Sequence, residues 1–337
     1  MTAKLFGKLP DGSEVHEVTI AAGKLAVSII TLGAIVRDLR LDGVDHPLVL
    51  GFETLDPYLR HSPYFGAIVG RSANRIGSGR IAIGGKSYQL PLNDHGKHHL
   101  HGGPNGFSAR LWRLVDSGAS SLTLSLVSPD GEEGYPGRTE AVVRYRIDPP
   151  ATLGLEMEAT TDAPTIANLA QHAYFNLDDS PDILDHRLEI AAEAYTPVDD
   201  DKIPTGEIVP VTGTDFDFRK SRPIRLLRDR RRVAYDVNFV VGRERSAEPH
   251  LHARLMSPKN GVALAVSSTE PGVQFYDGSM MKVPVPGLGG RRYGVNSGCC
   301  LESQLFPDAP NHARFPSSLL RPGETYRQIT RLAFSRR

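Results

Sequence analysis

Ile81-Ala82-Ile83-Gly84-Gly85-Lys86-Ser87-Tyr88-Gln89-Leu90 decides how this chain reads. Ile81 and Ile83 alternate with Ala82, a Gly pair follows, and Tyr88 and Leu90 resume the alternation. Period two on both sides of a Gly-Gly step is the pattern of a β-hairpin closed by a tight turn. The same pattern recurs in both directions from it. Leu25, Val27 and Ile29 alternate, as do Leu39 and Leu41, then Leu122, Leu124 and Leu126, then Val143, Tyr145 and Ile147. Leu153, Leu155 and Met157 continue the series, followed by Leu188 and Ile190, and by Leu264 and Val266 after an Asn260-Gly261 turn signal. With 33 Gly and 25 Pro punctuating these runs, the chain is many short strands joined by turns. Successive strands without intervening helices imply an all-β fold, a large antiparallel β-sandwich.

Helical signals are few. Asp56–Arg60 suits one or two turns, and Ser221–Arg232, with Pro223 near its start and Leu226 and Leu227 inside, suits a short surface helix. No low-complexity linker and no fixed-period repeat divides the 337 residues, so a single domain over 1–337 is expected. Lys plus Arg and Asp plus Glu both number 39, which leaves no net field to recruit nucleic acid or an anionic membrane and points to a small neutral partner. Residues 1–9 lack a signal-peptide core and no run is apolar enough for a membrane span. Cys299 and Cys300, the only cysteines, are adjacent, a spacing that rarely gives an unstrained disulfide. These features lead to the expectation of a cytoplasmic protein.

Chemistry concentrates in five places. In Cys299-Cys300-Leu301-Glu302-Ser303-Gln304-Leu305-Phe306, an apolar strand carries one carboxylate before breaking into the Pro-rich loop 307–312. Alternation puts Cys300, Glu302, Gln304 and Phe306 on one face. Such a Glu is either satisfied by a nearby Arg or is a general base in a pocket. Gly70–Gly77 brackets Asn74 with Arg71 and Arg75 at the end of an apolar run. Residues 95–103 hold four histidines, His95, His98, His99 and His101. A His-x-His strand can hold a metal, but the following Gly102–Gly106 supplies no carboxylate, so no metal is assigned. His101, held by the Gly pair, is the candidate donor to a ligand oxygen, while His95 and His98 are expected to be exposed. In Asn168–Asn176, strand alternation would align Asn168, His172, Tyr174 and Asn176 on one polar face. Asp236 with Asn238, and Gln274 with Tyr276, form two further same-face pairs, so the whole set suits a polyhydroxylated ligand. The basic run 219–232, eight Lys or Arg in fourteen residues, reads as a solvated helix face.

These stretches carry a family resemblance. GRSANRIG (70–77), LHGG (100–103), QHAYFNL (171–177), YTPVDDDKIPTG (195–206), GVQFYDG (272–278) and LESQLFPDAPNH (301–312), in that order, closely resemble the aldose 1-epimerases, or galactose mutarotases. The resemblance implies a sugar cleft on one sheet of the sandwich and cofactor-independent interconversion of the anomers of free aldoses. It implies Glu302 as catalytic base and His172 as catalytic acid, with Asn74, Arg75, His101, Tyr174, Asp236 and Gln274 contacting substrate. Val237, Asp277 and Ser279 stand where the family commonly has His, Thr and Asn.

For that chemistry one base takes the proton of the anomeric hydroxyl while one acid protonates the ring oxygen, and the open aldehyde rotates before reclosing. The assignment expects Glu302 ionised and His172 protonated near neutral pH, with Asp236 close enough to raise His172. Tyr174, Phe175 and Tyr276 are candidates to stack on the sugar's C–H face. A non-catalytic sugar-binding protein would lack the acid or the base. A phosphosugar epimerase would need a phosphate grip at the cleft, for which the 219–232 run is the candidate.

Overall fold

The computed structural model describes residues 3–62 and 64–336. Its three large sheets are antiparallel throughout. The N-terminal sheet runs Lys4–Lys8, Glu14–Ala22, Leu25–Ile30, Ile35–Leu41 in sequence order. The second sheet has nine strands, in the spatial order Arg113–Ser117, Ser121–Ser128, Thr139–Asp148, Thr152–Thr161, Tyr326–Arg336, Val262–Ser268, His250–Met256, Arg187–Ile190 and Arg222–Pro223. The third has six, in the order Tyr174–Phe175, Cys299–Gln304, Gly272–Tyr276, Asp236–Val240, Ala194–Thr196 and Val209–Pro210. The expected hairpin around Gly84-Gly85 forms, with Arg80–Ile83 paired to Lys86–Gln89 and both glycines at positive φ.

One apolar cluster lies between the sheets. The six-stranded sheet gives it Val237, Phe239, Val273, Phe275 and Leu301, the nine-stranded sheet Leu155, Leu255, Leu264, Val266 and Leu332, and the N-terminal sheet Val18, Ile20 and Val27. Alternation then fixes what the six-stranded sheet presents on its other face. With Val237, Val273, Phe275 and Leu301 turned into the core, Asp236, Gln274, Tyr276, Cys300 and Glu302 must turn away from it. The same argument disposes of one departure from the family pattern, because Val237 is a core residue and not a cleft residue.

Among the described residues the single α-helix is Leu55–Arg60, where one was expected. Asp56 in its first turn and Arg60 in its last suit the helix dipole and pair at 2.6 Å, while Leu55 and Tyr58 are buried. The helix expected over Ser221–Arg232 does not form. Arg222–Pro223 is an edge strand of the nine-stranded sheet, and Leu227–Arg228 pairs with Arg231–Arg232 across Asp229-Arg230, both at positive φ. Pro223 lacks an N–H and so suits a sheet edge, and a two-residue turn with both φ positive closes a hairpin, not a helix. Among the described residues no helix is long and apolar enough to cross a membrane.

Candidate functional site

The outward face of the six-stranded sheet is covered by loops, and the space between is a cavity of about 280 Å³. Glu302 reaches it from the second strand of that sheet. Gln274 lies directly across the strand pair from Glu302, and Asp236 lies across from Tyr276. Tyr174 comes from the short edge strand, paired with Cys300. Arg75 opens the short strand Arg75–Ile76, paired with His99–Leu100, Asn74 and His101 flank that pair, and His172 comes from the turn before Tyr174. All eight residues assigned a role from the sequence line this one cavity.

The expected alternation across Asn168–Asn176 fails. Ala170–Gln171 pairs with Ile68–Val69, whereas Tyr174–Phe175 pairs with Cys299–Cys300, so the chain changes partners at His172 and its alternation is reset. His172 and Tyr174 still meet in the cavity. Asn168 instead accepts the Leu305 N–H, Asn176 donates to Ser180 and Ser297, and Phe175 packs into the core, so none of the three faces a ligand.

The two arginines of Gly70–Gly77 also part company. Arg71 is buried and donates to the carbonyls of Ser128, Pro129, Pro136 and Gly137, tying down the 128–137 segment. Arg75 faces the cavity, with Nε donating to Asp94 Oδ2 at 2.7 Å and Nη1 3.8 Å from Asp236 Oδ2.

Asn74 and His101 lock one another. Asn74 N–H donates to His101 Nδ1 at 3.1 Å, and His101 N–H donates to Asn74 O at 3.0 Å. Both residues have positive φ, a strained conformation for any non-Gly residue that such reciprocal bonds hold in place. Gly102 completes the arrangement: at φ +87° a Cβ there would lie 1.7 Å from Gly70 O, so only Gly lets the two loops touch. Because His101 Nδ1 accepts a hydrogen bond from the Asn74 N–H, the neutral ring carries its hydrogen on Nε2 and offers a donor. His101, His172 and Glu302 place potential ligand atoms within 4.8 Å of one another. A metal there would need His101 Nε2 to lose that hydrogen, so the geometry favours hydrogen bonding to a ligand oxygen.

Glu302 is 2% exposed, with Oε1 3.7 Å from His172 Nε2 and Oε2 lacking any hydrogen-bond partner. Burial, and then the Asp236 carboxylate, push its carboxyl well above the usual range, with Arg75 opposing. Burial pushes the His172 imidazole down to about 4. Asp236 therefore acts on Glu302 and not on His172, contrary to expectation. It is held by Gln274 Nε2 at 2.6 Å on the sheet, and what faces His172 Nδ1 is the Cys300 sulfur at 3.5 Å. The ligand-free pair favours a neutral carboxyl beside a neutral imidazole.

Sequence reasoning missed Tyr64 and Asp94. The Tyr64 ring lies 4.6 Å from that of His101 and 5.6 Å from that of His172, in a loop whose sequence carries no periodicity. Asp94 lay in plain view beside the histidine cluster, where a search for metal ligands passed over an arginine partner. Of the other histidines, His95 is exposed as expected, but His98 is half-buried and accepts the Ser78 N–H, and His99 is buried against Tyr135 and Pro91. The 307–312 loop docks on the Gly70–Gly77 segment, where Asp308 N–H donates to Arg75 O and its carboxylate accepts the Gly77 N–H. The basic run lies away from the cavity. Its Arg225, Arg228 and Arg232 pair with Asp185, Asp215 and Asp277.

Comparison with known proteins agrees with this geometry. Residues 16–333 match the family model described as aldose 1-epimerase. The chain is 43% identical to the galactose mutarotase of Mus musculus, over 99% of this chain and 98% of the mouse protein. It is 34% identical to the aldose 1-epimerase of Escherichia coli K12, over 96% of each. Among solved structures it is similar to a GalM/aldose epimerase homologue from C. elegans, with TM-score 0.88 and 32% identity over 96% of this chain and 99% of that one. It is also similar to galactose 1-epimerase from Lactobacillus acidophilus, with TM-score 0.84 and 27% identity over 99% of this chain and 98% of that one. A sandwich with its polar cleft on one sheet, matched nearly end to end by these proteins, places the chain in the aldose 1-epimerase family.

Proposed function

We propose that this protein is an isomerase that interconverts the α and β anomers of free aldoses, with Glu302 as base and His172 as acid. The observation that carries the assignment is the pair itself. Two proton-transfer groups, both buried and 3.7 Å apart, line one cavity otherwise furnished with amide, guanidinium, phenol and imidazole donors.

Mutarotation needs one proton removed at O1 and one delivered at O5. The pair must therefore hold one exchangeable proton between its two members. A neutral carboxyl with neutral imidazole, and a carboxylate with imidazolium, contain the same number of protons and differ by one transfer. A sugar hydroxyl donating to the unpartnered Glu302 Oε2 favours the second form, by supplying the hydrogen bond that the carboxylate lacks. In that form Glu302 takes the O1 proton and His172 protonates O5, each step contributing about 10²- to 10⁴-fold. After rotation about C1–C2 the transfers run in reverse. Asp236, Arg75, Gln274, Asn74, His101 and Tyr174 are then the grips on the sugar's hydroxyls and ring face, with Tyr276 able to stack beside Tyr174.

The pH dependence of kcat/KM should be bell-shaped, with limbs belonging to the pair as a whole. Polarimetry on freshly dissolved α-anomers of several aldoses is the test. Wild type should accelerate equilibration and Glu302→Gln should lose at least about a hundredfold. Retained activity in Glu302→Gln with a flat pH profile refutes the assignment. The phosphosugar alternative is disfavoured, because the 219–232 run contributes nothing to the cavity lining. One core cluster fed by all three large sheets supports reading the chain as a single unit, and two free, buried, adjacent cysteines fit a reducing cytoplasm.

A further inference from the structure

Three carboxyl groups surround one guanidinium at the cleft. Arg75 Nε donates to Asp94 Oδ2 at 2.7 Å, Arg75 Nη1 lies 3.8 Å from Asp236 Oδ2, and Glu302 is close enough for the Arg75 charge to oppose the rise of its carboxyl. Asp236 Oδ1 accepts from Gln274 Nε2 at 2.6 Å, and Gln274 is the cross-strand neighbour of Glu302. A continuous polar chain, Asp94, Arg75, Asp236, Gln274, thus runs from a loop to the strand beside the base. Asp94 is its only member that does not line the cavity, so any effect it has on a ligand passes through Arg75.

The Asp94 end of that chain is the fixed one. Its N–H donates to His98 O, its carbonyl accepts from Lys97 and His98, and its side chain is 10% exposed. Arg75 is a long side chain with many rotamers, and one contact at 3.8 Å to Asp236 does not set its direction. The short bond at Nε does, because it fixes the plane of the guanidinium. A nearby opposite charge in a partly buried site favours the ionised carboxylate, so where that guanidinium points decides how readily Glu302 ionises.

We propose that Asp94 is a positioning residue for the reaction: it holds the Arg75 guanidinium toward Asp236 and keeps it from closing on Glu302. The proposal rests on the mutarotase reading of the site. Without Asp94 the guanidinium is free to pair with the base, and a sugar hydroxyl must then displace it. The site also loses one negative charge, which favours ionised Glu302. The charged or titratable groups facing Arg75 and Glu302 are Asp236, His101, His172, Tyr64, Tyr174 and Cys300, with His61, Tyr276 and Lys282 also on the cavity wall and the exposed His95 3.7 Å from Asp94, and all of these stay in place.

Asp94→Ala and Asp94→Asn test this by polarimetry across the pH range. Asp94→Asn keeps the volume and one acceptor for Nε, and the backbone bonds of residue 94 are independent of its side chain, so it guards against misfolding of the loop. The expected result is a fall in kcat/KM of about tenfold for Asp94→Ala and less for Asp94→Asn. In both, the acid limb of the bell should move to lower pH by about half a unit or more. In an Arg75→Ala background the Asp94→Ala loss of kcat/KM should largely disappear, since its carrier is gone, leaving only the direct effect of the lost charge on the acid limb. Wild-type kcat, KM and pH profile in both variants, or an Asp94→Ala effect undiminished in the Arg75→Ala background, overturns the proposal. An inactive wild type sinks the mutarotase reading and this proposal with it, whereas an active wild type with unmoved Asp94 variants sinks this proposal alone.

Discussion

His172→Gln should do two opposite things. It removes the acid, so mutarotation should fall about 10²- to 10⁴-fold. It should also make the protein more resistant to acid. Burial depresses the His172 imidazole from its ordinary 6.5 to about 4. Between those values the unfolded chain takes up a proton at this site that the folded protein refuses, so stability drains away as pH falls from 6.5 toward 4. Above 6.5 the imidazole is neutral in both states and costs nothing. The cost is on the order of 2 kcal/mol at pH 5 and on the order of 3 kcal/mol below pH 4. Gln does not titrate, so His172→Gln escapes this loss. Its packing against Tyr64, His101 and Tyr174 changes as well, but that change is the same at every pH. The assay is urea unfolding of both proteins at pH 7.5 and pH 5, with the variant expected to gain about 2 kcal/mol on wild type between the two conditions. Glu302, whose carboxyl is raised by burial, is present in both proteins, so its own titration drops out of the difference between them. A stability difference that is the same at both pH values refutes the reasoning, and a variant that instead loses ground to wild type at pH 5 means that the folded protein holds His172 as an imidazolium.

Three further substitutions separate structural from functional cations. Arg71→Ala strands four backbone carbonyls that a buried guanidinium now satisfies, and should destabilise by about 3 to 5 kcal/mol in denaturant titrations, while Arg75→Ala should cost activity as well as stability, since it also leaves the largely buried Asp94 without its cation. Arg232→Ala leaves the fully buried Asp277 carboxylate without its cation at 2.6 Å and should destabilise by about 3 kcal/mol, with KM unchanged because Arg232 does not line the cavity.

The architecture was legible because it depends on period two, which is local. Ile81, Ile83, Tyr88 and Leu90 announced their hairpin, and the same alternation gave the strand faces that carry Glu302, Gln274 and Asp236, while only the strand pairing makes those faces one. What failed did so where pairing overrides alternation. Asn168–Asn176 reads as one strand, yet its two halves pair with different partners, and the residues after the switch no longer share a face with those before it. The 221–232 segment looked helical because its leucines and arginines suit a helix, and nothing local showed that Asp229 and Arg230 would both take positive φ. Arg71 and Arg75 differ only in the partners that folding brings to them. Tyr64 and Asp94 carried no periodic signal, being loop residues whose roles come from His101, His172 and Arg75.

Glu302 began as a carboxylate in an apolar strand with two readings, satisfied by arginine or poised as a base. The ion pairs decide between them. The arginine near enough to satisfy it, Arg75, is bonded to Asp94 and turned toward Asp236. The strand's own amide neighbour across the ladder, Gln274, spends its Nε2 on Asp236. Two potential partners are thus committed elsewhere, to the carboxylates of Asp94 and Asp236, and Glu302 Oε2 is left bare in a cavity. A carboxyl kept for stability would be paired, since an unpaired one costs free energy in the folded state. The arrangement instead keeps the proton of Glu302 available beside His172, and the stability given up there is what a hydroxyl-rich ligand recovers when it supplies the missing hydrogen bond.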